Sequence, residues 1–286
     1  MVSITITAID NAALGDVGRF LHHNVNRQIS PEAWVGSLIH PWCDARPNFG
    51  FQLRDGEMLT GVFCAIYSDQ NIDGRTERFC NPHSWCVLSD YRNHSLGLAL
   101  ALIKQRGYHF TMLTPNPKVA EIFIRLGFKR MDEGVVVLPN FPSPIAAVGA
   151  HIAESDHNLI ARRLSGHVLR DFEAHREIPW LAFLAFGKGD DVCLIAYKIG
   201  RWKRLPCARI LHISDPAAFD RHLHVMRNCL LLRHGLLVSR AEARFLSREP
   251  RIACSERRTQ PKLFLSSTLK DSQIGDLYSE LVALDL

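Results

Sequence analysis

Apolar and polar residues alternate with period two in several short runs, and between these runs the period lengthens to that of a helix. Ile4 to Ile6 reads as a strand and Asn11 to about His23 as an amphipathic helix. Ser30-Pro31-Glu32 opens another helix, with Ser30 as N-cap and Pro31 at the first helical position. Phe49 to Leu53 and Leu59 to Tyr67 alternate as paired strands about the turn Arg54-Asp55-Gly56-Glu57. A polar excursion from Asp69 to Arg75 leads towards a short buried strand opening at Ser84. A small polar turn follows, then a helix starting near Ser95 or Leu96. Phe110 to Thr114 is the next strand, and Thr-Pro-Asn-Pro ending at Pro117 starts a helix that closes on Arg125-Leu126-Gly127-Phe128. Phe128 to Met131 and Val135 to Leu138 complete this half.

Three prolines within Pro139–Pro144 fit neither a helix nor a central strand, so a linker is predicted over 139–150. Beyond it the pattern predicts one long amphipathic helix, Glu154 to His175. Strands follow at Trp180–Phe186, Val192–Ile199 and Ala208–Ile213, then a helix from Asp215-Pro216 to about Arg233 and a strand at Leu236–Val238. Helix, three strands, helix, strand repeats the order of the first half. The expectation is an α/β chain of two related domains, 1–138 and 151–286.

Composition narrows this only a little. The chain has 286 residues, 47% hydrophobic and 22% charged, as ordinary globular proteins do. No window approaches the roughly 18 uninterrupted apolar residues of a membrane span. The N-terminus alternates like a strand and lacks the basic flank and apolar core of a signal peptide, so a cytoplasmic protein without a membrane partner is expected. Eight cysteines scattered through apolar strands suit buried thiols in a reducing compartment. The formal charge of +5 accommodates an anionic cofactor, and with no aromatic-plus-basic stripe nucleic acid is not expected. Lys198, Arg201, Lys203 and Arg204 form a basic hairpin, read as a solvated turn or a contact for an anionic acceptor. His22, His23, His222 and His224 read as exposed helix residues. Cys80-x-x-His83-x-x-Cys86 has zinc-ligand residue types, but the spacing puts the cysteines on one strand face and His83 on the other. No second pair follows, so no metal is expected. Oligomeric state is not legible.

The chemistry concentrates around the turn Arg92-Asn93-His94-Ser95-Leu96-Gly97-Leu98. A helix start favours anions, because its first amides lack intrahelical partners. Glycine permits close approach and arginine supplies a positive fork. This turn resembles the acyl-CoA pyrophosphate loop of the GNAT (GCN5-related N-acetyltransferase) superfamily, written Gln/Arg-x-x-Gly-x-Gly/Ala. The spacing Asn116…Phe123…Gly127-Phe128 resembles that superfamily's Asn…Tyr…Gly-Phe signature. The resemblance covers Ile4 to Leu138. Ser95 replaces the first glycine, Leu98 a small residue, and Phe123 the tyrosine that protonates the departing thiolate.

The resemblance implies tandem GNAT-like domains with mixed, mostly antiparallel sheets. It implies acetyl-CoA or another short acyl-CoA as cosubstrate, and an amine on a small molecule or sugar as acceptor. The strand before the phosphate turn would splay from its neighbour, with backbone at Cys86, Val87 and Leu88 meeting the thioester carbonyl. Arg92, Asn93, His94, Ser95, Leu96, Gly97 and Leu98 would meet the pyrophosphate, and Asn116 and Phe123 the rest of the cofactor. Candidate bases are Glu77 and His83; Tyr91, Ser84 or Cys86 could donate the proton that Phe123 cannot. Each has a plainer reading: Glu77 and His83 as loop residues, Tyr91 as cover for a helix start, Asn116 as a helix cap. In the second half Asp215-Pro216 stands at the corresponding turn, where it would repel a pyrophosphate, so a single cofactor site is expected. The rival reading is a non-catalytic acyl-CoA-binding or scaffolding protein.

Overall fold

The computed structural model describes residues 4–144 and 151–285; residues 145–150 of the expected linker lie outside the described residues. In chain order the elements are β1 (Ile4–Ala8), α1 (Leu14–Asn24), α2 (Pro31–Gly36), β2 (Gly50–Asp55), β3 (Met58–Ile72), β4 (Arg75–Val87), α3 (Ser95–Ile103), β5 (His109–Met112), α4 (Pro117–Arg125), β6 (Lys129–Arg130) and β7 (Gly134–Pro139). Then come β8 (His151–Glu154), α5 (His157–Arg163), α6 (Gly166–His175), β9 (Ala182–Lys188), β10 (Asp191–Trp202), β11 (Leu205–Ile213), α7 (Pro216–Leu232), β12 (Val238–Glu242), β13 (Cys254–Arg257), β14 (Leu263–Leu265) and α8 (Glu280–Ala283).

These elements form two compact units, and neither is a continuous half of the chain. The first comprises Met1–Arg130, Gln260–Leu269 and Tyr278–Leu286; the second comprises Met131–Thr259 and Lys270–Leu277. Each is built on a seven-stranded sheet, ordered β1-β2-β3-β4-β5-β14-β6 in the first and β8-β9-β10-β11-β12-β7-β13 in the second. The two orders are superimposable, with one parallel pair at the same place, β4–β5 and β11–β12. β14 holds the sixth place in the first sheet and β7 the sixth place in the second. The chain therefore passes into the second unit at Met131, ahead of the three prolines, and returns to the first at Gln260.

In the first unit, α3 and α4 cover one sheet face, with Leu98, Leu102, Ala120 and Phe123 packed on Phe63, Cys80, Phe110 and Leu263. α1 and α2 cover the other, with Val17, Leu21 and Trp34 on Val62 and Cys64. In the second unit, α7 lays Phe219, Met226 and Leu230 on Leu184, Ile195, Tyr197 and Ile210. The caps are those the sequence suggests: Ser30, Asn116 and Asp215 each accept from an amide of the helix they precede.

Several expectations are corrected. The polar stretch 69–75 is a hairpin: β3 and β4 stay paired to Ile72↔Arg75, around Asp73 and Gly74 with φ of 50° and 82°. Such positive values suit a tight hairpin turn, and the strand is polar there because its outer end is partly exposed. The single helix 154–175 is two, α5 and α6, parted where Leu164 and Ser165 are extended, and residues 151–154 are strand. His222 is buried and bonded to Asp191 at 2.7 Å, and His224 is half-buried. The basic hairpin is not a uniform patch either: Lys198 is buried over the Trp180 ring and Lys203 pairs with Glu256. No helix among the described residues is long and apolar enough to cross a membrane.

Candidate functional site

β4 and β5 pair only at Phe79↔His109 and Cys80↔Phe110. Beyond Cys80 the two strands part. β4 continues to Val87, held by β3 on one side alone, while β5 turns to β14. Alternate backbone groups of this stretch therefore face a gap rather than a strand. The wedge is braced at its narrow end by Asn81, whose amide donates to the Thr111 carbonyl at 3.0 Å and to its hydroxyl at 3.1 Å.

A β-bulge lies at the widening. Val62 opposes Cys86 but Cys64 opposes His83, so β4 carries one residue more than β3 between them. Ser84 takes the strain, with φ of 53°. The extra residue inverts the alternation. Cys80 belongs to the α3/α4 face and so does Trp85, whereas Cys86 and Leu88 pack on the α1/α2 side. The expectation that Cys80 and Cys86 share a face is thus overturned, and among the described residues no three His, Cys, Asp or Glu side chains gather as a metal would require.

On the α3/α4 side the gap is walled by aromatics. Trp85 stacks on Phe63 at 5.1 Å and meets Phe123 edge-on at 5.6 Å; Phe123 also meets Phe128 at 5.1 Å. Phe123 is fully buried. Trp85 Nε1 is buried without a hydrogen-bond partner, an unusual state for an indole donor.

On the α1/α2 side the same stretch presents polar groups. His83 is buried, its Nδ1 2.9 Å from Ser84 Oγ, and its Nε2 has no partner. Burial and the neighbouring His40 push its pKa down to about 3. His40 stacks on Trp42 at 4.3 Å and is itself pushed down by burial to about 4; its Nε2 is likewise unpartnered. Asn81, two residues before His83 on the same face, accepts from the Glu280 amide at 2.9 Å. Glu280 is 1% exposed. Its Oε1 accepts from Leu113 N and Thr114 Oγ1 at 3.2 and 2.9 Å, and its Oε2 has no partner. Burial raises its pKa. His40 and Glu280 escaped the sequence reading because they lie some forty residues before and two hundred after the strand they join. Only their placement in the fold reveals them.

The turn after β4 is closed rather than open. Ser89–His94 form a 3-10 helix that runs directly into α3. The Tyr91 amide donates to Leu88 O, and both the amide and the hydroxyl of Ser95 donate to Arg92 O. Arg92, Asn93 and Leu96 are exposed and His94 half-buried, while Leu98 is in the core. Gly97 faces β1: a Cβ there would lie 2.6 Å from Ile6 Cδ1. Arg92 is near enough to oppose the rise that burial imposes on the Cys86 thiol.

The other expected residues are dispersed. Glu77 pairs with His109 at 3.0 Å where β4 and β5 are still together. It is nine residues from Cys86, roughly 30 Å along the strand. Tyr91 donates to Asp55 at 2.7 Å, and that bond raises its pKa. The Leu88 amide is spent on Thr60 O at 2.9 Å, and Val87 stands against Gly61. Asn116 caps α4 by accepting from Val119 N at 3.0 Å. The structure thus places His83, Cys86 and Val87 on the parted stretch of β4 and Phe123 against its Trp85, turns the Leu88 amide to β3, and separates Glu77 from them. In the second unit Asp215 occupies the corresponding turn, with Oδ1 bonded to the amides of Ala217 and Ala218.

No protein-family profile matches this sequence, and no curated protein matches it. Solved structures do. A GCN5-related N-acetyltransferase from Anabaena variabilis matches with a TM-score of 0.58 and 11% identity, over 92% of this chain and 72% of that one. A candidate N-acyltransferase from Enterococcus faecalis matches with a TM-score of 0.60, 11% identity and the same coverage. A candidate acetyltransferase from Pyrococcus horikoshii matches with a TM-score of 0.51 and 11% identity, over 96% of this chain and 92% of that one. The fold is that of the GCN5-related N-acetyltransferases, in tandem.

Proposed function

We propose that the first unit binds acetyl-CoA or another short acyl-CoA across the parting of β4 from β5, and transfers the acyl group to an amine on a small molecule or sugar. The observation that carries this reading is the parting itself: β4 leaves β5 after Cys80 and bulges at Ser84, leaving backbone groups unpaired along a gap. The fully buried Trp85 Nε1 beside that gap is a donor waiting for an acceptor, which a carbonyl of the cofactor's arm would provide.

The acceptor enters from the α1/α2 side, where His83 lies beside His40 and Asn81, on the same strand face, holds the Glu280 backbone. His83, pushed down to about 3, is too weak a base to drive proton removal near neutrality. It serves as a neutral hydrogen-bond partner that orients the amine. Glu280, whose pKa burial raises against the opposing influence of Thr114, Asn81 and Lys262, takes the amine's proton on its unbonded Oε2 as the nitrogen attacks. Nitrogen attacks the thioester carbon, gap-facing amides steady the oxyanion, and the C–S bond breaks to release CoA as its thiolate. A second reading, an acyl-CoA binder without turnover, draws on Phe123 at the position of the proton-donating tyrosine and on the second unit, whose corresponding turn carries Asp215.

Calorimetry with acetyl-CoA, alongside free-thiol release with a panel of amines, tests this. One equivalent should bind, weakened by about 1–3 kcal/mol in Arg92→Ala if that guanidinium meets a phosphate. Glu280→Gln should slow turnover and leave affinity unchanged. Absence of binding overturns the proposal; binding without turnover on any amine supports the non-catalytic reading.

A further inference from the structure

The second unit carries a cleft that acyl transfer does not use. In the first unit α4 follows β5 and packs on the same sheet face as α3. After β12, the corresponding stretch makes only a short 3-10 turn, Ala243–Phe245, before running irregularly to β13. A cleft of about 500 Å³ opens there beside α7. Leu223, His224 and Arg227 line it from one face of α7, as their spacing of three and four requires. Phe141, Arg251 and Ile252 are also in its wall.

Arg227 is the telling residue. It is 5% exposed, its guanidinium lies 4.9 Å from the centre of the Phe141 ring, and one terminal nitrogen donates to Ile252 O at 2.7 Å. Its Nε is buried without a partner. The acids in the wall are engaged elsewhere: Asp220 with Arg248 and Ser247, Glu249 with Ser255. Burial pulls the Arg227 pKa down with no carboxylate opposing it. A buried cation without a counter-charge is costly to fold. The Nε2 of His224, in the same wall, is also buried and unpartnered. Arg227, with its unmet Nε, stands beside the apolar side chains of Phe141, Leu223 and Ile252.

We infer that this cleft binds an organic anion, its charged head held by Arg227 and its apolar body laid against Phe141, Leu223 and Ile252. The head is a carboxylate or a phosphate, both of which match a guanidinium fork. Arg251 and the exposed Arg248 at the rim add positive charge where such a ligand enters.

The full chain is titrated with benzoate, phenyl phosphate and benzyl alcohol, binding being read by calorimetry and ligand-observed NMR. At least one anion should bind in the millimolar range or tighter, and the alcohol at least about tenfold more weakly. Tighter binding of phenyl phosphate would identify a phosphate head, and tighter binding of benzoate a carboxylate; either supports the inference. Arg227→Met should abolish anion binding. Leu223→Trp, which fills the cleft and leaves the charge, should abolish it too and decides the matter should Arg227→Met fail to fold. Saturating CoA should not displace the anion, whatever becomes of the first unit's gap. The inference is overturned if neither anion binds, if binding survives Leu223→Trp, or if CoA competes.

Discussion

His83 shows how one side chain acquires a meaning that its neighbours in sequence do not supply. Read along the chain it is a histidine between two cysteines, a weak hint of metal or of a base. In the fold it is buried beside His40, and both are pushed down, to about 3 and about 4, chiefly by burial. Each is neutral when folded, whereas an exposed histidine in the unfolded chain titrates near about 6.5. Between those values the unfolded state binds more protons, so stability rises with pH through the window and is fully present above about pH 6.5. Urea midpoints should accordingly fall from about pH 7 towards about pH 4, and His83→Leu should flatten that fall. A slope identical in wild type, His83→Leu and His40→Leu would exclude both histidines as its origin. Asn116 teaches the opposite lesson: its plainer reading, a helix cap, is the bond it makes.

At the scale of elements, the decisive feature is the bulge in β4. Alternation of Cys80, Pro82 and Ser84 suggests one face, and nothing in Ser84-Trp85-Cys86 announces that the alternation inverts. Serine is not a residue expected at φ of 53°. The left-handed backbone there can be isolated by comparing Ser84→Ala with Ser84→Gly, since both lose the contact with His83 Nδ1. Glycine should be the more stable by about 1–2 kcal/mol in chemical denaturation. Equal midpoints would mean that the bulge carries no backbone strain. The break between α5 and α6 was hidden for a related reason. Apolar positions keep helical spacing through Leu164, and Gly166, with φ of 59°, stands at the start of α6 rather than after the end of α5. By contrast, strands flanked by strong turn residues, such as β2 and β3 around Asp55-Gly56-Glu57, were readable because the turn fixes their pairing.

At the scale of the whole molecule, strands were easier to find than their partners. Val135-Val136-Val137-Leu138 reads as a strand closing the first half, and it is a strand, β7. Its neighbours, however, are β12 and β13. A run of four buried aliphatic residues carries no information about which sheet receives it, because any hydrophobic face would do. Leu263-Phe264-Leu265, a strand the sequence reading did not include, enters the first sheet between β5 and β6. This exchange has a consequence for where the chain can be cut. A fragment ending at Leu138 keeps β7 without its sheet and lacks both β14 and α8. It loses Leu263 and Phe264, 0% and 5% exposed, each worth about 1.5–3 kcal/mol of burial. It also exposes the edge of β5, a template for aggregation. Residues 1–138 alone should therefore give a poorly dispersed amide NMR spectrum and no cooperative melt, although they contain every residue of the acyl-CoA motifs. Mixing them with residues 139–286 should restore dispersion, because each fragment then supplies the sixth strand of the other's sheet. A cooperatively folded 1–138 fragment would show that β14 is dispensable and that the boundary at 138 is an independent one.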